Sequence, residues 1–307
     1  MTVCTALYQK DSGCFGRTLD LEYAYDEQVV ITPRGWLRNR YALIGTATVA
    51  EGYPLYYDGM NEVGLGIAGL NFPHSAHYPP PWEGAENVAV HQLIPTLLGQ
   101  CRTVAEAVAM LSRLHLCDRP FSPRYPTATL HWMLADRDGS AVIEPTAEGV
   151  RVYHNPVGAM TNEPPFPRQL EHWEKHTHLT HREPAVTPPL WGRGSGGRGL
   201  PGDFTSPSRF VRAAFLAACP VDENDPVGGF FHKMSTVEVP YGAVLLPDGR
   251  AVISRYTCCM DLGKRVYCYR TYEGQRLHAV RLREAEACGK ELVCYPHRKD
   301  KDMAWEN

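Results

Sequence analysis

MTVCTALYQKDSGCFGRTLD (residues 1–20) is the stretch on which the reading of this chain turns. CTALYQ and CFGRTL are strand-like runs, and Asp11-Ser12-Gly13 between them is turn chemistry, so the stretch predicts a β-hairpin. A turn centred near residues 11–12 sets Cys4 across from about Leu19, with Arg17 and Asp20 nearby. A free cysteine in a first strand is ordinarily a small buried apolar residue. The neighbours suggest more. A guanidinium close to a thiol favours the thiolate, and a carboxylate can hold an amine in position. That amine would exist if cleavage exposed Cys4 as a new N-terminus. An α-amino group, with an unperturbed pKa of about 8, works as a general base near neutral pH. Nucleophile and base would then belong to one residue.

Further hairpins follow along the chain. LHWMLAD-RDGS-AVIEP (130–145) leads into GVRVYH (149–154), and GAVLLP-DGR-AVISRYT (242–257) leads into KRVYCYRTY (264–272). PLYYDGMNEVGLGIAGLNF (54–72) reads as two strands about the Asn61–Gly64 turn. Alternating apolar runs joined by short loops predict antiparallel sheets. Thr103-x-x-Glu106 is a capping box opening a helix over TVAEAVAMLSRLH (103–115). ENVAVHQLIPTLLGQ (86–100) is its helical partner, with Pro95 as a kink or break. Ser206-Pro207 supplies an N-cap and a first-turn proline for PSRFVRAAFLAA (207–218). Strands at both ends with helices between them suggest a layered α+β architecture in one domain. Residues 164–206, rich in Pro, Gly and His, read as a long irregular surface excursion.

Composition excludes several classes. A formal net charge of −3 with scattered basic residues gives no reason to expect nucleic acid or an anionic membrane as partner. No window approaches a membrane span, and the first residues lack a secretory leader, so a cytoplasmic location is expected. The ten cysteines contain no C-x-x-C, and reduced thiols are expected, including the adjacent Cys258 and Cys259.

Taken together, CTAL (4–7), FGRTLD (15–20), ITPRGW (31–36), MNEVGLGIAGLNFP (60–73), MTNEPPF (160–166), GLPGDFTSPSRFVRA (199–213) and YRTYEGQ (269–275) resemble the choloylglycine hydrolase family. That family holds conjugated bile salt hydrolases and penicillin V acylases of the Ntn-hydrolase fold. The resemblance implies a four-layer αββα sandwich of two antiparallel sheets flanked by helices. It implies Cys4 as nucleophile, Arg17 as the thiol-activating arginine and Asp20 as the holder of the freed amine. Asn162 matches the oxyanion-hole side chain, Asn71 the position whose backbone N–H completes that hole, and Arg209 the arginine supporting the site. It also implies a short propeptide, Met1–Val3, removed to leave residues 4–307 as a single catalytic domain. The implied reaction is hydrolysis of a linear amide through an acyl-thioester, without cofactor or metal. The expected substrate is a glycine- or taurine-conjugated bile acid, because penicillin acylases often carry Tyr where this chain has Asn71. Leu21 and residues 56–67 are expected to line the apolar pocket that a steroid needs. A homotetramer or dimer is implied as well. Penicillin V and N-acyl homoserine lactones are the alternative substrates.

His172, His176, His178 and His181 have spacing that could hold a metal but lack a recognised signature, and a solvated stretch is expected. WGRGSGGRGLPGD (191–203) lacks the Lys-Ser/Thr ending of a phosphate loop, and Arg193 stands where a serine-hydrolase elbow around Ser195 needs glycine. A silent ligand-binding relative that keeps Met1–Val3, and a thiol redox protein using Cys258 and Cys259, are the readings from other classes.

Overall fold

The opening hairpin forms as its turn chemistry predicts. Thr5–Gln9 (β1) and Cys14–Leu21 (β2) pair antiparallel, with Thr5 opposite Thr18 and Gln9 opposite Cys14. Lys10–Ser12 makes one 3-10 turn, closed by Gly13 at φ 66°, a left-handed conformation that glycine adopts without steric cost. Continuing that register by one residue sets Cys4 beside Leu19.

This is a computed structural model, and it describes residues 3–183, 193–301 and 303–306. Met1 and Thr2 of the expected propeptide, and residues 184–192 of the expected irregular stretch, lie outside the described residues. Among the described residues β1 and β2 belong to a seven-stranded antiparallel sheet. Its order is Ala159–Met160, β1, β2, Ala251–Asp261, Val266–Thr271 and His278–Arg281, with Val244–Leu245 paired to Ala251–Asp261. A nine-stranded sheet lies against it. The order there is Gly149–His154, Ser140–Thr146, Leu130–Ala135, Gly66–Asn71, Asp58–Asn61, Leu43–Ala50, Gln28–Thr32 and Val293–Pro296, with Tyr53–Tyr56 paired to Leu43–Ala50.

Alternation along the strands explains the layers. Ala68 and Leu70 point between the sheets, toward Phe15 and Met260, whereas Leu65 and Ile67 point to the other face. That outer face is covered by α1 (Leu93–Gln100) and α2 (Val104–Leu111), whose Leu93, Leu97 and Ala107 share a core with Ile67 and Trp132. α3 (Phe166–Glu174) packs on α4 (Ser206–Ala217), and α4 and α5 (Pro226–Met234) cover the seven-stranded sheet. The result is the expected αββα sandwich, completed by a short α6 (Glu284–Ala287).

Some elements differ from the sequence reading, each for a local reason. Residues 53–71 make three strands rather than two, because the chain breaks at Tyr57, whose N–H bonds Thr46 and whose carbonyl accepts from Gly69. Glu86–Ala89 is a strand, pairing in parallel with Leu114–Cys117, so both expected helices are shorter than their apolar spacing suggests. Pro95 falls in the first turn of α1, where its missing N–H costs nothing, and it marks no break. The N-cap of α4 is Thr205, and Ser206 is already helical. Thr103 caps α2 through the Glu106 N–H, but the Glu106 carboxylate turns to the Arg102 N–H, so the box is half made. The expected irregular stretch contains α3, whose His172 is therefore helical.

One glycine fixes how closely the strands approach. A Cβ at Gly16 would lie 1.9 Å from the Cys258 carbonyl oxygen, on the strand beside β2. Gly16→Ala should therefore lose about 3 kcal/mol of stability or more in urea unfolding, through forced separation of the two strands. A loss under about 1 kcal/mol would contradict the close approach.

Candidate active site

Cys4 leads into β1 and is buried, yet it borders a cavity. Burial pushes its thiol above the usual cysteine range. Arg17 opposes that shift most, Asp20 adds to it, and the Asp20 backbone N–H and Arg209 oppose it further. The thiol is thus poised between an apolar setting and two cations. Arg17 is itself buried and reaches from β2 to the other sheet: Nε donates to Thr18 O at 2.9 Å and Nη1 to Gly69 O at 2.6 Å.

The strand Gly66–Asn71 presents one edge to this group. Phe72 N–H bonds Thr129 O, so by alternation the N–H and C=O of Asn71 face the opposite edge, as those of Gly69 do. Gly69 N–H bonds Tyr57 O on that edge, and Gly69 O takes Arg17. Asn71 O takes the Asn162 side chain, with Nδ2 at 2.8 Å. The orientation of that amide is fixed from behind. Arg209 Nη2 donates to Asn162 Oδ1 at 2.9 Å, which leaves Nδ2 as the donor, and a second Nδ2 hydrogen remains beyond the bond to Asn71.

Arg209 ties the parts together. From the first turns of α4 its Nη1 reaches Cys4 O at 2.5 Å and Thr5 Oγ1 at 2.6 Å, while Nε donates to Phe204 O at 3.0 Å. Burial lowers its pKa to about 10, with Asp20 and Cys4 working against the shift, so it stays cationic at neutral pH. Asp20 lies on β2 and is fully buried. Its Oδ1 accepts from Ser254 Oγ at 2.6 Å and its Oδ2 from Thr18 Oγ1 at 3.0 Å. Thr18 Oγ1 in turn accepts from the Thr5 N–H at 3.1 Å, directly after the nucleophile candidate.

All six expected site residues therefore converge, from β1, β2, the end of Gly66–Asn71, the turn after Met160 and α4. The sequence reading missed the groups that orient them. Thr18 and Ser254 hold Asp20, and Gln169 on α3 donates to Asn162 O at 2.6 Å while accepting from Thr161 Oγ1 at 2.7 Å. Gln169 carried no signal, because its segment read as irregular.

The cavity beside Cys4 has a volume of about 360 Å³ and walls that are mostly apolar. Leu21 lines it as expected, and so do Tyr56 and Tyr57. Residues 58–67 do not, because Met60 and Ile67 turn into the two cores. Other parts of the wall come from Thr48, Leu55, Leu130 and Trp132 near the nine-stranded sheet, from α1 and its preceding turn, and from the loop bearing Phe121 and Tyr125.

The other candidates fare differently. His172 and His176 have ring centres 4.9 Å apart, with His176 Nδ1 3.0 Å from His172 O. Among the described residues no cluster of three or more His, Cys, Asp or Glu could hold a metal. Cys258 and Cys259 are fully buried, and burial pushes both thiols well up, the reverse of a reactive pair. No helix among the described residues is long and apolar enough to cross a membrane.

Known proteins match this chain over nearly its whole length. The profile of the linear amide C–N hydrolases, choloylglycine hydrolase family, matches residues 4–295. This chain belongs to that family. It is 40% identical to a bile salt hydrolase/transferase of Lactiplantibacillus plantarum over 97% of this chain and 98% of that one. It is 33% identical to one from Clostridium perfringens, over 97% and 98%. The crystal structure of a variant of the conjugated bile acid hydrolase from Clostridium perfringens superposes with a TM-score of 0.91, at 32% identity, over 99% of this chain and all of that one. Penicillin V acylase from Agrobacterium tumefaciens shares the fold, with a TM-score of 0.75 at 23% identity, over 95% of this chain and 90% of that one. The chain is thus a linear amide hydrolase with the Ntn-hydrolase fold.

Asp20 gives the site a measurable pH signature. Burial raises its pKa to about 6, against Arg209, Ser254, Thr18 and Arg17. The folded value exceeds the unfolded one of about 3.9, so protonation favours the folded state, and the stability cost at neutral pH is relieved as pH falls from about 6 toward 4. Relative to Asp20→Asn, the native chain should gain about 1 kcal/mol between pH 7 and pH 5 in urea unfolding. An unchanged difference would show that Asp20 titrates normally.

Proposed function

We propose that this family member hydrolyses the amide bond of glycine- or taurine-conjugated bile acids, with Cys4 as nucleophile. The observation that carries the substrate is the mostly apolar cavity of about 360 Å³ opening on Cys4. A steroid fills such a space, and its conjugated side chain then brings the amide to the thiol. Relatives named for bile salts, over nearly the full chain, support the same choice.

The mechanism needs a free amine on Cys4, and the Val3–Cys4 peptide bond ties that nitrogen up as an amide. We therefore infer that Met1–Val3 is removed and that residues 4–307 act as one catalytic unit. The freed amine, held by Asp20, takes the thiol proton, and Arg17 favours the thiolate. Attack on the substrate carbonyl moves charge onto its oxygen. The Asn71 N–H and the Asn162 Nδ2, the latter oriented by Arg209, stabilise that oxyanion. The tetrahedral intermediate collapses to a thioester as the amine returns its proton to the departing glycine or taurine nitrogen. Water, deprotonated by the same amine, then releases the bile acid and restores the thiol. None of these steps calls for a cofactor. Assembly as a homotetramer or dimer, and a cytoplasmic location, complete the proposal.

Three measurements test it. Active protein should give an intact mass beginning at Cys4, and full activity with Met1–Val3 attached would overturn the mechanism. Assayed side by side, taurocholate or glycocholate should turn over faster than penicillin V, and the reverse order would overturn the substrate. Asn162→Ala should lower kcat about 10²–10³-fold with little change in KM, and a KM effect alone would remove it from the oxyanion site.

A further inference from the structure

Between the sheets, beside the site, lies a buried polar group that the proposed chemistry does not use. Asp58 is fully buried on the nine-stranded sheet. Tyr256 OH donates to its Oδ2 and Tyr267 OH to its Oδ1, each at 2.5 Å, and both tyrosines come from the seven-stranded sheet. Thr46 extends the group, with Oγ1 2.6 Å from Tyr267 OH and 3.3 Å from His297 Nε2.

Arg17 crosses the same gap in the same direction, from β2 to the nine-stranded sheet. Asp58 pairs with Ala68, and the next carbonyl along, that of Gly69, is the one that holds Arg17 Nη1. Arg17 Nη2 is buried with no hydrogen-bond partner. A buried guanidinium needs an opposite charge nearby. The Cys4 thiolate supplies one for only part of the reaction cycle, since thiol and thioester are neutral. The Asp20 carboxylate is engaged by Thr18 and Ser254. Asp58 is present throughout. Burial pushes its carboxyl up, and the largest opposing influence is Arg17, ahead of Tyr256 and Tyr267. Burial likewise disfavours charge on Arg17, but Cys4, Tyr256 and Asp58 more than restore it. Cys258 also faces both groups.

We propose that Asp58 is the positioning residue of Arg17, a carboxyl group across the sheet gap that keeps the guanidinium in place while Cys4 passes among thiol, thiolate and thioester. The inference rests on the reading of Arg17 as the thiol-activating group, and not on the substrate.

The test is the pH dependence of Cys4 alkylation by iodoacetamide, followed on the Cys4 peptide by mass spectrometry, together with kcat and KM. Deleting a nearby negative charge would by itself lower the apparent pKa of the thiol, whereas displacing Arg17 would raise it. Asp58→Asn should raise that pKa by about one unit and lower kcat about tenfold or more, with KM within about threefold. In an Arg17→Leu background it should add nothing. A pKa that stays or falls, or a full further loss in the Arg17→Leu background, would overturn the proposal. Should Asp58→Asn fail to fold, Tyr256→Phe removes one of its donors and should shift the thiol in the same direction by less; no shift would overturn it equally. An alkylation profile left unchanged by Arg17→Leu alone would instead remove the role of Arg17, and this inference with it. Absence of bile salt turnover with the expected alkylation shifts would remove only the substrate.

Discussion

The site depends on one buried cation reaching across three segments that the sequence keeps far apart. Arg209 sits in the first turns of α4, where a positive charge opposes the helix dipole. Its guanidinium meets that opposition with directed bonds to Phe204 O, Cys4 O, Thr5 Oγ1 and Asn162 Oδ1. Four acceptors in fixed directions specify where β1 begins, where the turn after Met160 runs and how the Asn162 amide faces. A lysine would match the charge and lose the geometry, because it lacks the planar fork.

Around that anchor the electrostatics are balanced rather than strong. Burial disfavours charge on Cys4, Asp20 and Arg209 alike, and each is also the principal or a contributing relief for another. The hydroxyls of Thr18 and Ser254 keep the Asp20 carboxylate oriented without neutralising it. Such mutual dependence is costly for stability and typical of groups whose protonation must change during a reaction. It also explains why the sandwich carries polar groups through its middle, where an all-apolar core would be more stable.

The cavity records the other half of the specialisation. The wall of the cavity draws on segments outside the group around Cys4 as well as on Cys4, Arg17 and Asn71 themselves. Leu21 comes from β2, Tyr57 from the break between two strands, and Phe121 and Tyr125 from a loop.

The sequence by itself determined the hairpin, its register and the placing of Cys4 across from Leu19 with Arg17 and Asp20 nearby, because a short turn fixes which residues face each other across two strands. It also supplied the ordered motifs by which the choloylglycine hydrolase resemblance located Asn71, Asn162 and Arg209. Helix and strand limits near residues 86–117 were not legible, since short apolar runs suit either form until long-range pairing decides. Gln169, Ser254 and Asp58 were equally silent: a buried polar residue looks like an exposed one in sequence. Only the packing of the two sheets, which removes water and forces each buried group to find a partner, decided that these residues hold the site in place.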